Sequence, residues 1–290
     1  MKLRTMLFVP ANKKRWVEKS LTLGADAIIL DLEDSVALSE KESSRTMVPD
    51  AVKASCGAGT NVFVRVNGLI TGLAAEDLKC AVQPGLMGIV LPKTESVNEV
   101  REAVTLVEEI ERARSMQPGE IVLLPLLESA VGILDAREIA ASSRRIVAIG
   151  FGALDFTRDM GISLSPNGAE LHYARSYIAL VARAAGIQAI DTPWINTADL
   201  EGLVEDARKA RQVGFRGKFV IHPSQVEPVN QVFAPSEPEV ADAERVVTAF
   251  EQAQTLGLAA ISLDGRMIDT ANYRRAKELL NWAREVMVQE

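Results

Sequence analysis

Gly24-Ala25-Asp26-Ala27-Ile28-Ile29-Leu30-Asp31-Leu32-Glu33-Asp34 opens on a turn residue, runs through an unbroken apolar core and ends in acids. Ala27–Asp31 does not alternate apolar with polar, as a strand with one wet face would. A strand buried on both faces reads this way, which points to a parallel sheet covered by helices. Runs of the same kind recur at Thr5–Pro10, Asn61–Asn67, Gly88–Lys93, Ile121–Leu127, Ile146–Phe151, Ala189–Thr192 and Lys218–His222, making eight. Between and after them lie amphipathic stretches at Arg15–Leu23, Glu40–Ser55, Ala74–Val82, Val97–Arg114, Gly132–Ala141, Glu170–Ala185, Leu200–Val213 and Pro238–Thr255. Gly24, Gly186, Gly214 and Gly257 stand where such helices end. Eight alternating units predict an α/β fold, a (β/α)8 TIM barrel, for which about 250 residues suffice. A doubly wound open sheet is the alternative, but no G-x-G-x-x-G follows the first strand. The barrel is expected over residues 1–257 as the catalytic domain. Residues 258–290 form a C-terminal strand-turn-helix extension, free to reach a neighbouring subunit.

The 290 residues are 48% hydrophobic and 24% charged, enough apolar surface for a core that needs no staple. The net charge of −7, with no cationic run longer than Lys13-Lys14-Arg15, argues against nucleic-acid binding. The apolar runs Thr5–Val9 and Ile121–Leu127 are too short for a signal segment or for the ~20 residues of a membrane span. No membrane partner is therefore expected, and a cytoplasmic location is. Cys56 and Cys80 sit in no metal or redox motif, which suits a reducing compartment. Only two histidines occur, His172 and His222, so one chain cannot build a three-histidine zinc site. A divalent metal must rest on carboxylates, which selects Mg2+ or Mn2+.

In a barrel the chemistry belongs at the C-terminal strand ends. Glu128 and Asp155 fall there on neighbouring strands and suit a metal that keeps open positions, although either acid also suits the start of the following helix. Arg65 ends the apolar run Val62-Phe63-Val64 and must be paired, by a substrate carboxylate or by the second strand's acids. Asp31, Glu33 and Asp34 are crowded enough to need a cation, either a nearby metal or Arg65, and Asp34 equally suits a solvated loop. Lys93 is either a Schiff-base lysine or the ion-pair partner of a nearby acid. Gly152 and Ala153 bring backbone N–H groups to the site, for anion capture or merely for a tight turn. His222 and His172 read as structural.

Taken together, Arg4-Thr5-Met6-Leu7-Phe8-Val9-Pro10, the strand-two stretch through Val36, Val64-Arg65-Val66-Asn67, Gly88–Ser96, Leu127-Glu128-Ser129, Gly152-Ala153-Leu154-Asp155, Ile221-His222-Pro223-Ser224-Gln225 and Asp264-Gly265-Arg266-Met267-Ile268-Asp269 resemble the citrate lyase β-subunit-like acyl-CoA lyases of the HpcH/HpaI aldolase group. The likeness runs in order along the whole chain. It implies Mg2+ on Glu128 and Asp155, with Arg65 on the carboxylate of a 2-oxo acid. It also implies Asp269 reaching the site of an adjacent subunit in a homo-oligomer, a trimer or hexamer, to handle the proton at the thioester methyl. The implied reaction is reversible Claisen cleavage of a 3-hydroxyacyl-CoA thioester. The first expectation is a stand-alone lyase acting on malyl-CoA or citramalyl-CoA, releasing acetyl-CoA and glyoxylate or pyruvate. The alternative is the citryl-carrier-protein lyase subunit of a citrate lyase complex, releasing oxaloacetate. A third reading, a non-catalytic barrel paralogue, is opposed by the joint presence of Arg65, Glu128 and Asp155. Ala11 where the family often has Gly, and Thr270 where Pro is frequent, touch the rim and bear on substrate identity.

Overall fold

The apolar runs form strands because each has two faces to bury. In the computed structural model, which describes residues 1–165 and 167–287, eight parallel strands close into a barrel in sequence order. They are β1 Thr5–Pro10, β2 Ala27–Asp31, β3 Asn61–Arg65, β4 Gly88–Leu91, β5 Val122–Leu127, β6 Ala148–Phe151, β7 Gln188–Asp191 and β8 Gly217–Val220. β1 pairs with β2 and also with β8, which closes the ring and removes every free edge. The helices are α1 Lys14–Ser20, α2 Lys41–Ala58, α3 Ala74–Ala81, α4 Val97–Ala113, α5 Ala130–Leu134, α6 Ala136–Ala141, α7 Ala153–Asp159, α8 His172–Ala185, α9 Leu200–Val213, α10 Val226–Phe233, α11 Glu237–Thr255 and α12 Thr270–Met287. The single helix expected over Gly132–Ala141 is two short ones, and α7 and α10 were not anticipated.

Inside the barrel, Met6, Ile29, Phe63, Val90, Leu124, Leu126, Ile190 and Phe219 form one core, with the Phe8 and Phe219 rings 5.3 Å apart. The strand period of two then decides what tops this core. Asp31 lies two residues beyond Ile29, Arg65 two beyond Phe63, and Glu128 two beyond Leu126. All three continue the inward face at the catalytic end. Asn230 ties the unit together at another point, its Oδ1 accepting from the Thr5 hydroxyl at 2.9 Å and its Nδ2 donating to the Gly24 carbonyl at 2.8 Å.

Leu3–Asn230 make up one compact unit, and Gln231 onward with Met1–Lys2 another. The second unit therefore starts ahead of α11, the helix that the sequence pattern counts as the barrel's eighth. The helix directly after β8 is α10. In the second unit Ala243, Val246 and Phe250 of α11 share a core with Ile268 and Ala276. The expected strand at Ile261–Leu263 (β9) pairs antiparallel with β10, Arg266–Ile268. Asp264 and Gly265, at φ 49° and 74°, make the connecting turn with both central residues left-handed. Among the described residues no helix is long and apolar enough to cross a membrane.

Candidate active site

Asp31 and Arg65 are Cα partners in the β2–β3 register, so their side chains rise from adjacent positions. Arg65 donates from Nε and Nη2 to the two oxygens of Asp31 at 2.7 and 2.6 Å, and its Nη1 lies 3.1 Å from Oε2 of Glu33. The guanidinium covers the Phe8 ring at 4.7 Å. Burial opposes ionisation of Asp31, but the Arg65 charge and hydrogen bonds outweigh it and hold the carboxyl below the usual range. Burial likewise disfavours the Arg65 cation, and Asp31 and Glu33 more than compensate. Arg65 is thus a fixed positive charge over an aromatic floor.

Lys93 donates from Nζ to Oε1 of Glu33 at 2.5 Å and lies 3.4 Å from Asp34. Burial lowers the basicity of Lys93, and the Glu33 contact raises it further than burial lowers it. A protonated, ion-paired ammonium is not a nucleophile, so the geometry supports the ion-pair role of Lys93 and not Schiff-base chemistry. Glu33 itself is raised, by burial first, with Arg65 and Lys93 pulling the other way. Beneath this cluster Lys41, absent from the sequence reading, donates to the carbonyls of Leu32 and Glu33 at 2.6 and 2.7 Å. Asn67 donates to Leu32 at 3.0 Å. The acidic strand end is therefore braced from below.

Lys93 adopts a left-handed backbone, φ 48°, which turns its own N–H onto Oε2 of Glu128 at 2.8 Å. Glu128 is 6% exposed. Burial pushes its carboxyl up to about 7, and Glu33 and Asp155 add repulsion that the Lys93 N–H and Arg65 do not cancel. Gly152 makes the arrangement possible, since a Cβ there would fall 2.3 Å from Oε1 of Glu128. Asp155 sits in the first turn of α7, its carboxylate 2.7 Å from Arg158. Both N–H groups considered for anion capture already donate within the chain, Gly152 to the Leu127 carbonyl at 3.1 Å and Ala153 to Oγ1 of Thr192 at 3.0 Å. What this turn supplies to the site is room beside Glu128. The Glu128 and Asp155 carboxylates are oxygen donors of the hard type that suits Mg2+ or Mn2+, with Arg158 the present partner of Asp155. Among the described residues no group of three or more histidine, cysteine, aspartate or glutamate side chains is placed to hold a metal.

His222 turns its Nδ1 to Ser224 and caps the short turn after β8, and His172 opens α8 as an exposed residue. Asp269 lies in the second unit, where its Oδ1 accepts from Ala271 and Asn272 N–H at 2.9 and 3.1 Å and so caps α12.

The HpcH/HpaI aldolase/citrate lyase family model matches residues 4–223. The chain belongs to this family. Citrate lyase subunit beta of Leuconostoc mesenteroides subsp. cremoris is 39% identical over 280 residues, covering 97% of this chain and 93% of that protein. Human mitochondrial citramalyl-CoA lyase is 31% identical over 293 residues, covering 98% and 86%. The crystal structure of CitE from Mycobacterium tuberculosis in complex with magnesium, acetoacetate and coenzyme A superposes with a TM-score of 0.77 at 31% identity, covering 97% of this chain and 98% of that one. This family member is a carbon–carbon lyase.

Proposed function

We propose that this lyase cleaves a citryl thioester into oxaloacetate and an acetyl thioester, as the β-type subunit of a citrate lyase acting on a carrier-protein-bound acyl group. The sequence alone ranks free malyl-CoA or citramalyl-CoA first. The stronger likeness to citrate lyase subunit beta, 39% against 31% for the human citramalyl-CoA lyase, reverses that order. The observation that carries the chemistry is Glu128, a carboxyl whose ionisation burial opposes first and Glu33 and Asp155 oppose further, at the strand ends that also carry Arg65.

Glu128 and Asp155 would hold Mg2+, which supplies Lewis-acid polarisation of the substrate hydroxyl as it becomes a carbonyl. Asp31 holds the Nε and Nη2 edge of Arg65 and Glu33 lies 3.1 Å from Nη1, so the substrate carboxylate would share a guanidinium whose orientation these two acids fix. Since Arg65 cannot lose its proton, it stabilises the oxo acid throughout the cleavage. When the bond between the hydroxyl-bearing carbon and the thioester α-carbon breaks, the hydroxyl loses its proton. The electron pair passes to the α-carbon as an enolate, which then takes up a proton. Asp269 of an adjacent copy, in a homotrimer or hexamer, is the proposed donor of that proton.

The second reading, a stand-alone citramalyl-CoA lyase, draws on the human relative and on the CoA complex of the M. tuberculosis protein. Purified chain with Mg2+ and a panel of citryl-CoA, citryl-carrier protein, citramalyl-CoA and malyl-CoA separates the two. The citryl thioesters should yield oxaloacetate with kcat/KM roughly tenfold or more above the others. Faster turnover of citramalyl-CoA or malyl-CoA would transfer the assignment to the stand-alone lyase.

A further inference from the structure

Among the described residues, Lys93, Ser115 and Asp264 have a left-handed backbone without being glycine, at φ 48°, 54° and 49°. Two of them have ordinary reasons. Ser115 follows the C-cap of α4, where helices commonly end in this conformation, and Asp264 makes the turn between β9 and β10. Lys93 lies in the connection from β4 to α4, at the catalytic end of the strands. Glycine enters the left-handed region freely and Asn or Asp with little cost, whereas a long side chain is strained there. Such strain persists only where the surroundings impose it.

Here they impose it from three sides. Ahead of Lys93, the Leu91 carbonyl at the end of β4 accepts from the Thr94 hydroxyl at 3.0 Å. Behind it, Thr94 N–H donates to the Leu126 carbonyl of β5 at 3.0 Å, and Gly132 of α5 leaves room for the Thr94 carbonyl, which a Cβ there would meet at 2.5 Å. The third restraint is the lysine's own ammonium, bonded to Oε1 of Glu33 at 2.5 Å. Glu33 is itself held, its N–H donating to Asp31 at 2.9 Å and its carbonyl accepting from Lys41 at 2.7 Å. A glycine would give this backbone without strain, so the lysine side chain needs a reason of its own. The Glu33 bond supplies one.

The product of the strained turn is a hydrogen bond to Glu128. Oε2 of Glu128 accepts the Lys93 N–H at 2.8 Å, while Oε1 sits against Gly152. Among the described residues this is the one hydrogen bond to that carboxylate. We propose that Lys93 is a positioning residue that acts through its backbone: Glu33 anchors the ammonium, the anchor holds the left-handed turn, and the turn aims the N–H that orients Glu128. The inference rests on Glu128 as a Mg2+ ligand. A carboxylate that binds a metal is itself oriented by hydrogen bonds from outside, and loss of one typically weakens metal affinity about 10–100-fold.

Calorimetric titration of full-length Lys93→Gly and Lys93→Ala with Mg2+ tests this. Both variants lack the charge and neither reaches Glu33, so they differ in how freely residue 93 stays left-handed. Lys93→Gly should bind Mg2+ roughly tenfold or more tightly than Lys93→Ala. A role through charge or through the Glu33 contact predicts equal affinities instead. A turn that served folding alone would separate the two variants in Tm and leave their Mg2+ affinities equal. Equal affinities, or tighter binding by Lys93→Ala, would overturn the proposal. Lys93→Met, unbranched and uncharged with the stem retained, takes the place of Lys93→Ala if that variant fails to fold. Glu128→Gln, titrated in parallel, keeps the two failures apart. If it binds Mg2+ as the wild type does, the metal reading of Glu128 falls and this proposal with it. If it loses Mg2+ while the Gly and Ala variants match each other, only the role of Lys93 falls.

Discussion

At the scale of single residues, the site depends on small distances. A Cβ on residue 152 would overlap Oε1 of Glu128. Gly152→Ala should therefore displace that carboxylate and lower kcat/KM on the order of 10²-fold with little change in Tm, since a misplacement of about 1 Å is enough. Wild-type kinetics would show that Glu128 does not need its present position. Glu128→Gln should abolish Mg2+ binding by calorimetry, and EDTA should silence the wild-type enzyme until Mg2+ or Mn2+ is restored. Retained Mg2+ affinity in the variant would remove Glu128 from the metal site. Arg65→Lys keeps the charge but loses the two-pronged bond to Asp31 and the flat contact with Phe8. It should fall about 10²-fold in kcat/KM. Asp269→Asn should leave Tm unchanged, because Asn caps a helix as well as Asp, yet lower kcat by ~10²–10⁴ if the carboxyl moves a proton. The sequence already exposed Arg65, since a cation closing an apolar strand must be paired. It could not show that Asp31 lies directly opposite in the strand register, nor that Lys93 turns left-handed to reach Glu128. Both facts belong to pairing and backbone geometry, which residue identity alone does not encode.

Among elements, a buried ion quartet of Arg175, Asp191, Asp206 and Lys218 joins α8, β7, α9 and β8, with Arg175 and Lys218 each bonded to both acids. Burial works to raise the Asp206 carboxyl, but Lys218 and Arg175 outweigh it and hold it at about 2, below the 3.8 of a free aspartate. A depressed folded value means the stabilisation is complete above pH 3.8 and is lost as pH falls toward 2. Urea unfolding across that window should show stability declining with acid in the wild type and a flatter acid limb in Asp206→Asn. Lys218→Met should cost ~3–5 kcal/mol near neutral pH, because it strands buried carboxylates, and a smaller loss would mean the quartet relaxes. The signal for this group was present: Lys218 interrupts the apolar strand Gly217–Val220 much as Arg65 ends its own. The long strands and helices were legible because burial on two faces and a 3.6-residue period repeat over many residues. The short α7 and α10 offered only about two turns of pattern each, and the three-residue β10 offered almost none.

For the whole molecule, eight recurring βα units were sufficient to anticipate a closed barrel, because only closure buries both ends of so long a parallel sheet. How the residues from Gln231 onward segregate was less visible, since α11 has the same amphipathic pattern whether it covers a barrel or packs on α12. Assembly gives the remaining prediction. Arg65→Ala and Asp269→Asn chains, each inactive alone, should regain part of the activity when co-assembled, because some sites then receive both intact residues. No recovery in verified mixed oligomers would confine Asp269 to capping α12. Barrel closure carries one more consequence. Thr5 near the start of the barrel unit is hydrogen-bonded to Asn230 at its end, and β1 lies in register with β8. In a ring built this way the order of the beads matters, and the place where the string was cut does not. A circularly permuted barrel unit, with residues 3 and 230 bridged by a short linker and new termini opened in the loop at Ser143-Arg144, would keep every strand pairing it has now.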